Sequence, residues 1–315
     1  MIGTFMTFEG KGHLHMQVAL LHAGPILRRM RRLSTALLLV ACCLTSSAQE
    51  EVIDSLNTVL RSTIPDTTRV STLIALSGQF YRVDTEHARR LALQAKELAE
   101  KSGHKIGLGK AYKAVGMTYY YQNDWVDCLI HWKLAQETFQ SINDLNGVSN
   151  MLNNIGAVYF NGGDDKGALD SYLESLRVAE TSKDSLRTVT ALVNIGTVYL
   201  NKDASTRLAF KYYKRALPLS KALGDHDAYG TCAVNLGEIF LRDESKTDSA
   251  GYFNPDSALF YFEAALEAYR NSATGNVPFA LKSIGRVYTI RKDFNRAIQY
   301  QSEAYRIALA NDPRL

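Results

Sequence analysis

Between Met151 and Thr181 apolar residues recur every three or four positions in two runs. The first run carries Leu152, Ile155, Gly156 and Tyr159, and the second carries Ala168, Leu169, Tyr172, Leu176 and Ala179. Apolar residues at that spacing fall on one side of a helix. The pattern therefore predicts a pair of helices over about 148–161 and 166–181. Asn161-Gly162-Gly163-Asp164-Asp165 separates them. Its glycines permit the left-handed turn that ends a helix, and an aspartate there can accept the unpaired N–H groups of the next one. A helical pair this short cannot cover its own apolar faces, so it needs copies of itself on either side.

The copies are in the sequence. The frame Asn154-Ile155-Gly156-x-x-Tyr159 returns as Asn194-Ile195-Gly196-x-x-Tyr199 and as Asn235-Leu236-Gly237-x-x-Phe240. Shorter forms are Val115-Gly116-x-x-Tyr119 and Ile284-Gly285-x-x-Tyr288, and a weaker one has Ser77 at the glycine position followed by Phe80. Successive frames are 39, 40, 40, 41 and 48 residues apart. A small residue opens each second helix, at Ala88, Cys128, Ala168, Ala209, Ala258 and Ala297. Another follows seven positions later, at Ala95, Ala135, Ser175, Ala216, Ala265 and Ala304. Small residues at these points let two helices approach closely and let the next pair dock.

This pattern resembles the tetratricopeptide repeat (TPR) family: Leu-Gly or Ile-Gly, an aromatic three residues later, Ala about twelve later, then an aromatic and another Ala. The period is near 40 rather than the 34 usual for the family. That is similar to the longer subgroup found in kinesin light chains and bacterial Rap-type regulators, with the excess placed in the second helix and its exit, as in Ala216–Gly224. The resemblance spans about Thr67–Leu309. It implies an all-α fold, a right-handed superhelical solenoid of about six TPR-like hairpins, with 49–64 as an N-terminal capping helix, 65–311 as the solenoid and 312–315 as a tail.

Composition agrees with a folded helical chain: 46% of residues are hydrophobic and only 6 are proline. The formal charge of +4 comes from the first 48 residues. Lys11, Arg28, Arg29, Arg31 and Arg32 stand there against Glu9 alone, which leaves 31 basic and 31 acidic residues in the body. A neutral body gives no electrostatic case for nucleic acid.

Residues 30–48 have the layout of a secretory signal peptide: Met30-Arg31-Arg32, the apolar run Leu33–Leu44, then Thr45-Ser46-Ser47-Ala48 with small residues before Gln49. The apolar run is short for a membrane span. Met30 reads as the start of the leader and 1–29 as an upstream over-extension or an unstructured extension. Cleavage after Ala48 is one processing route. Leu39-Val40-Ala41-Cys42 resembles a bacterial lipobox, and that route would lipidate Cys42 and tie the protein to a membrane. Both predict export, to the periplasm in a bacterium. Beyond the leader only Cys128 and Cys232 remain, on different repeats, and they read as structural thiols.

Asp243–Pro255 (DESKTDSAGYFNP) reads as a loop inserted between the two helices of the fifth hairpin. The last helix keeps Phe294, Ile298, Tyr305, Ile307 and Ala308 where a solenoid normally ends in a polar face. That end would pair with another subunit, giving a homodimer, or continue in a longer chain that reaches a C-terminal membrane helix.

In the resembled architecture the first helices line the concave face. Asn154, Asn194 and Asn235 stand two residues before the frame glycine, one per repeat, and an amide side chain both donates and accepts. Such a row can hold an extended peptide backbone without reading its sequence, or each asparagine can fasten its neighbouring repeat. Asn150, Asn153, Asn161, Lys113, Tyr120, Tyr121, Lys282 and Arg286 complete the expected groove. Basic positions at both ends suit a segment with acidic side chains or a free carboxylate.

His87, His104, His131 and His226 are scattered without metal-ligand spacing, and neither a GxSxG motif nor a phosphate-binding glycine loop occurs. The sequence therefore implies no metal, cofactor or catalysis. It predicts an exported, non-catalytic scaffold that binds a protein or peptide segment. The alternative is the sensory input module of a signal-transduction protein, a histidine kinase or transcriptional regulator, resembling the N-terminal repeat arrays of Bacteroidetes-type sensors.

Overall fold

The computed structural model describes residues 49–201, 205–242, 252–272 and 274–310. The leader, Cys42 and the 312–315 tail lie outside the described residues. The chain divides into two units, 1–64 and 65–315. Within the first, 49–61 forms a helix, α1.

The second unit is a series of helical hairpins: α2 (Asp66–Phe80) with α3 (Thr85–Lys101), α4 (Lys105–Tyr121) with α5 (Trp125–Ser141), α6 (Leu145–Asn161) with α7 (Asp165–Thr181), α8 (Ser185–Asn201) with α9 (Thr206–Leu223), α10 (His226–Phe240) with α11 (Pro255–Arg270), and α12 (Val277–Ile290) with α13 (Phe294–Ala310). No strand occurs among the described residues. Each helix packs on the next in chain order. First helices also touch the first helices of neighbouring hairpins, as in α4 with α6 and α6 with α8, whereas no such contact joins successive second helices among the described residues. The stack therefore curves with the first helices on its inner side.

The 40-residue period has a simple physical origin. α6 and α7 are each 17 residues long, and three-residue turns, 162–164 and 182–184, follow them. In this hairpin the period is divided equally between the two helices. α6 also starts at Leu145, earlier than its apolar stripe indicates, because Asp144 caps it by accepting the Gly147 N–H at 2.9 Å.

The turns repeat one device. A residue in the left-handed region (Asn123, Asn143, Gly163, Lys183, Gly224 or Lys292) is followed at once by an aspartate. Asp124, Asp144, Asp164, Asp184, Asp225 and Asp293 each accept the N–H three residues on, at 2.9–3.2 Å. Each supplies a partner to an N–H that has none within the helix. The turn before α4 departs from this: Gly103 is left-handed, but His104 takes the aspartate's place and makes no cap bond.

Inside each hairpin the frame glycine faces the aromatic of the second helix. A Cβ on Gly156 would lie 2.7 Å from the Tyr172 ring, one on Gly196 2.9 Å from Tyr213, and one on Gly237 2.5 Å from Phe262. Gly116 meets Trp132 in the same way. Trp132 Nε1 donates to the Lys113 carbonyl at 3.1 Å, and the Tyr213 hydroxyl lies 3.0 Å from Thr197 Oγ1. The weak first frame substitutes a polar contact, with buried Ser77 Oγ donating to the Ala88 carbonyl at 2.7 Å. In the last hairpin Gln301 stands where the second to fifth place an aromatic, and in the first the position is Ala92.

Cys128 and Cys232 are buried and unpaired, and burial pushes both thiols up to about 12. Most of the insert lies outside the described residues. Its Tyr252 packs on Phe210, 5.1 Å between ring centres, and on Phe240.

Candidate functional site: the inner wall of the solenoid

The inner wall is built from the first helices, and polar side chains link it from one repeat to the next. Lys113 Nζ on α4 donates to Asn150 Oδ1 on α6 at 2.8 Å. Asn194 Nδ2 on α8 donates to Asn153 Oδ1 on α6 at 3.0 Å. Asn161 Nδ2 donates to the Tyr120 hydroxyl at 3.0 Å. Arg286 Nη1 on α12 reaches both carboxylate oxygens of Glu238 on α10, at 2.7 and 2.9 Å.

These contacts separate the expected groove residues into two sets. Asn150, Asn153, Asn161, Asn194 and Arg286 are joined to a neighbouring repeat, and so is Lys113. Tyr120 also packs beside Trp125 and Trp132, with ring centres 5.4 and 5.5 Å apart, and Tyr121 stacks on Tyr81 at 5.7 Å. Asn154 and Asn235 are half-buried and have no hydrogen-bond partner among the described residues. Lys282 is exposed and likewise unpaired among them. Of the asparagine row, then, Asn194 fastens repeats while Asn154 and Asn235 keep both halves of their amides available.

Sequence reasoning missed Arg187. It lies in the first turn of α8, nine residues before Gly196, outside the glycine frame. Its guanidinium pairs with Asp184, and its Nε is buried without a partner. Burial lowers the pKa of Lys113, and the charges of Arg187 and Lys110 lower it further. Burial alone would raise that of Asp184, but the hydrogen bonds from the Arg187 N–H and guanidinium outweigh it and hold the carboxyl below its usual range. The α4–α8 stretch of wall thus carries Lys113 and Arg187 close enough to repel, with the Lys113 ammonium bonded to a neutral amide. An anionic group would relieve that repulsion. No group of three or more His, Cys, Asp or Glu suited to a metal occurs among the described residues, and no described helix is long and apolar enough to cross a membrane.

A tetratricopeptide repeat family model matches residues 147–219. No curated protein sequence matches the chain. Solved structures share the fold at low identity. BtubC from P. vanneervenii is 18% identical, with a TM-score of 0.57, over 76% of this chain and 91% of that one. A signal transduction ATPase with numerous domains from Pyrococcus horikoshii, which has a tetratricopeptide repeat sensor, is 14% identical with a TM-score of 0.65; the match covers 83% of this chain and 39% of that protein. A Rap protein complexed with Competence and Sporulation Factor is 13% identical with a TM-score of 0.57, over 84% and 72% of the two chains. Residues 147–219 match the tetratricopeptide repeat family, and the described hairpins on both sides of them continue a solenoid of the same fold.

Proposed function

We propose that the inner wall from α4 to α10 binds an extended protein or peptide segment and that the chain acts as a non-catalytic scaffold without a cofactor. The observation that carries this reading is the pair of unpartnered, half-buried amides, Asn154 and Asn235, on a wall where Asn150, Asn153, Asn161 and Asn194 are joined to a neighbouring repeat. A peptide backbone offers alternating N–H and C=O groups, and an amide side chain can meet both. The cationic stretch at Lys113 and Arg187 favours a segment with an acidic side chain or a terminal carboxylate there. The same fold in a Rap protein complexed with Competence and Sporulation Factor supports a binding role. The leader pattern at 30–48 supports export of this scaffold, and lipidation at Cys42 would hold it at a membrane.

The test is selection of peptides from a displayed random library on the chain beginning at Gln49, with rebinding to Asn154→Ala/Asn235→Ala. The reading expects the selected peptides to lose affinity for the double variant while its helical content is unchanged. Peptides that bind both proteins equally would overturn it.

A further inference from the structure

The second helices share one register, and their buried faces can be compared position by position. Eight residues after the opening small residue stand Leu176 on α7, Leu266 on α11 and Tyr305 on α13. Leu176 and Leu266 are each 7% exposed, and Tyr305 is 68% exposed. One residue after the small residue, Leu169 and Leu259 are half-buried, whereas Ile298 is 64% exposed. The difference has one cause. α8 covers this face of α7 and α12 covers it on α11, but α13 packs only against α12 among the described residues. Beside this face Pro278, Phe279 and Ala308 help to line an open trough of about 660 Å³, with Lys282 and Arg286 on its rim and no acidic side chain among its lining.

We propose that this face of α13 is a docking site for one amphipathic helix donated by a partner protein, which would extend the solenoid by a further first helix. The stacking interface runs unbroken through the earlier hairpins and stops here with the same side-chain pattern, so its geometry specifies the occupant. The helices that cover this face elsewhere present a buried small–Leu–x–x–Ile stripe, Ala191-Leu192-x-x-Ile195 on α8 and Ala280-Leu281-x-x-Ile284 on α12. Charge adds a second requirement. Glu238 and Arg286 occupy the same register, one residue after the frame glycine, and pair across one step of the stack. Arg286 is already held by Glu238, so the donated helix carries its carboxylate toward Lys282, the cation of this face left without a partner among the described residues. A second copy of this chain on a two-fold axis would bring two Lys282 ammonium groups together and offer them no carboxylate from the trough lining, which disfavours that occupant.

The probe is a labelled 17-residue peptide with the sequence of Ser185–Asn201 carrying Thr197→Glu, which places the carboxylate in register. An isolated helix of that length is marginal in water, so binding should raise its helicity. Fluorescence anisotropy against the full chain should show saturable binding with a gain in helical circular dichroism. Affinity should fall about tenfold or more for the peptide with Thr197→Lys and for chains carrying Tyr305→Glu or Ile298→Glu. Those two side chains are exposed, so the variants should melt as the parent does. Absence of binding, binding indifferent to these changes, or binding without helix gain would overturn the proposal. So would a dimer of the chain alone, seen by sedimentation and dissolved by Tyr305→Glu, because the occupant would then be a second copy.

Discussion

Gly156 and Tyr172 are in contact because the glycine has no side chain: a Cβ there would stand 2.7 Å from the tyrosine ring. The ring is 3% exposed and sits among Ala168, Leu176, Ala191 and Leu192. It cannot swing away without opening the interface to the next hairpin. Gly156→Ala therefore lowers stability. The gain in helix propensity, about 1 kcal/mol, is outweighed by an overpacking cost of about 1–3 kcal/mol. Urea denaturation should show a lower midpoint, and adding Tyr172→Leu should recover part of the loss through coupling of the two sites. A midpoint at or above that of the parent would show that the ring is free to move.

His104 stands at a turn where an aspartate elsewhere caps the following helix, and it makes no cap bond. His104→Asp should stabilise the chain by about 0.5–1 kcal/mol and raise the melting temperature, while Asp164→Ala should cost about 1 kcal/mol. Thermal denaturation of the two variants checks both signs.

Burial pushes the Cys128 and Cys232 thiols up to about 12, so both stay neutral at pH 8 and should not react with a thiol reagent until the chain unfolds. A raised pKa in the folded state gives stability that is fully present below the thiol's unfolded value, about 8.5. It is lost as pH rises through that value toward the folded one. Stability should accordingly decline between about pH 9 and 12, and by less in a Cys128→Ala/Cys232→Ala variant measured over the same range.

Asn194 donates to Asn153 across the boundary between two repeats. Asn194→Ala should cost about 0.5–1.5 kcal/mol of stability, whereas Asn154→Ala and Asn235→Ala should leave the melting temperature nearly unchanged. Denaturation of the three single variants separates fastening from availability within one row.

Much of this organisation is legible along the chain. The glycine frame, the aromatic it faces and the two small residues of each second helix are set by local packing rules, so they recur at a fixed spacing. The turn at Gly163-Asp164 is legible for the same reason, whereas the Asp144 cap, which starts α6 at Leu145, leaves no mark on the apolar stripe. What the sequence hides is the step from one repeat to the next. Asn153 and Asn154 are adjacent on α6, yet Asn153 is bonded to α8 and Asn154 is not. That outcome depends on the twist between hairpins, which no periodicity within a hairpin contains. Arg187 was hidden for a related reason, because it reaches the inner wall from a helix start that lies outside the recurring frame.

An extended segment held on the inner wall would lie against α4, α6, α8 and α10. The most direct test is hydrogen–deuterium exchange of the chain with and without a library-selected peptide. Exchange should slow along those four first helices and change little in α5, α7 and α9, with the protection lost in Asn154→Ala/Asn235→Ala. Protection confined to the second helices, or unaltered in that variant, would contradict it.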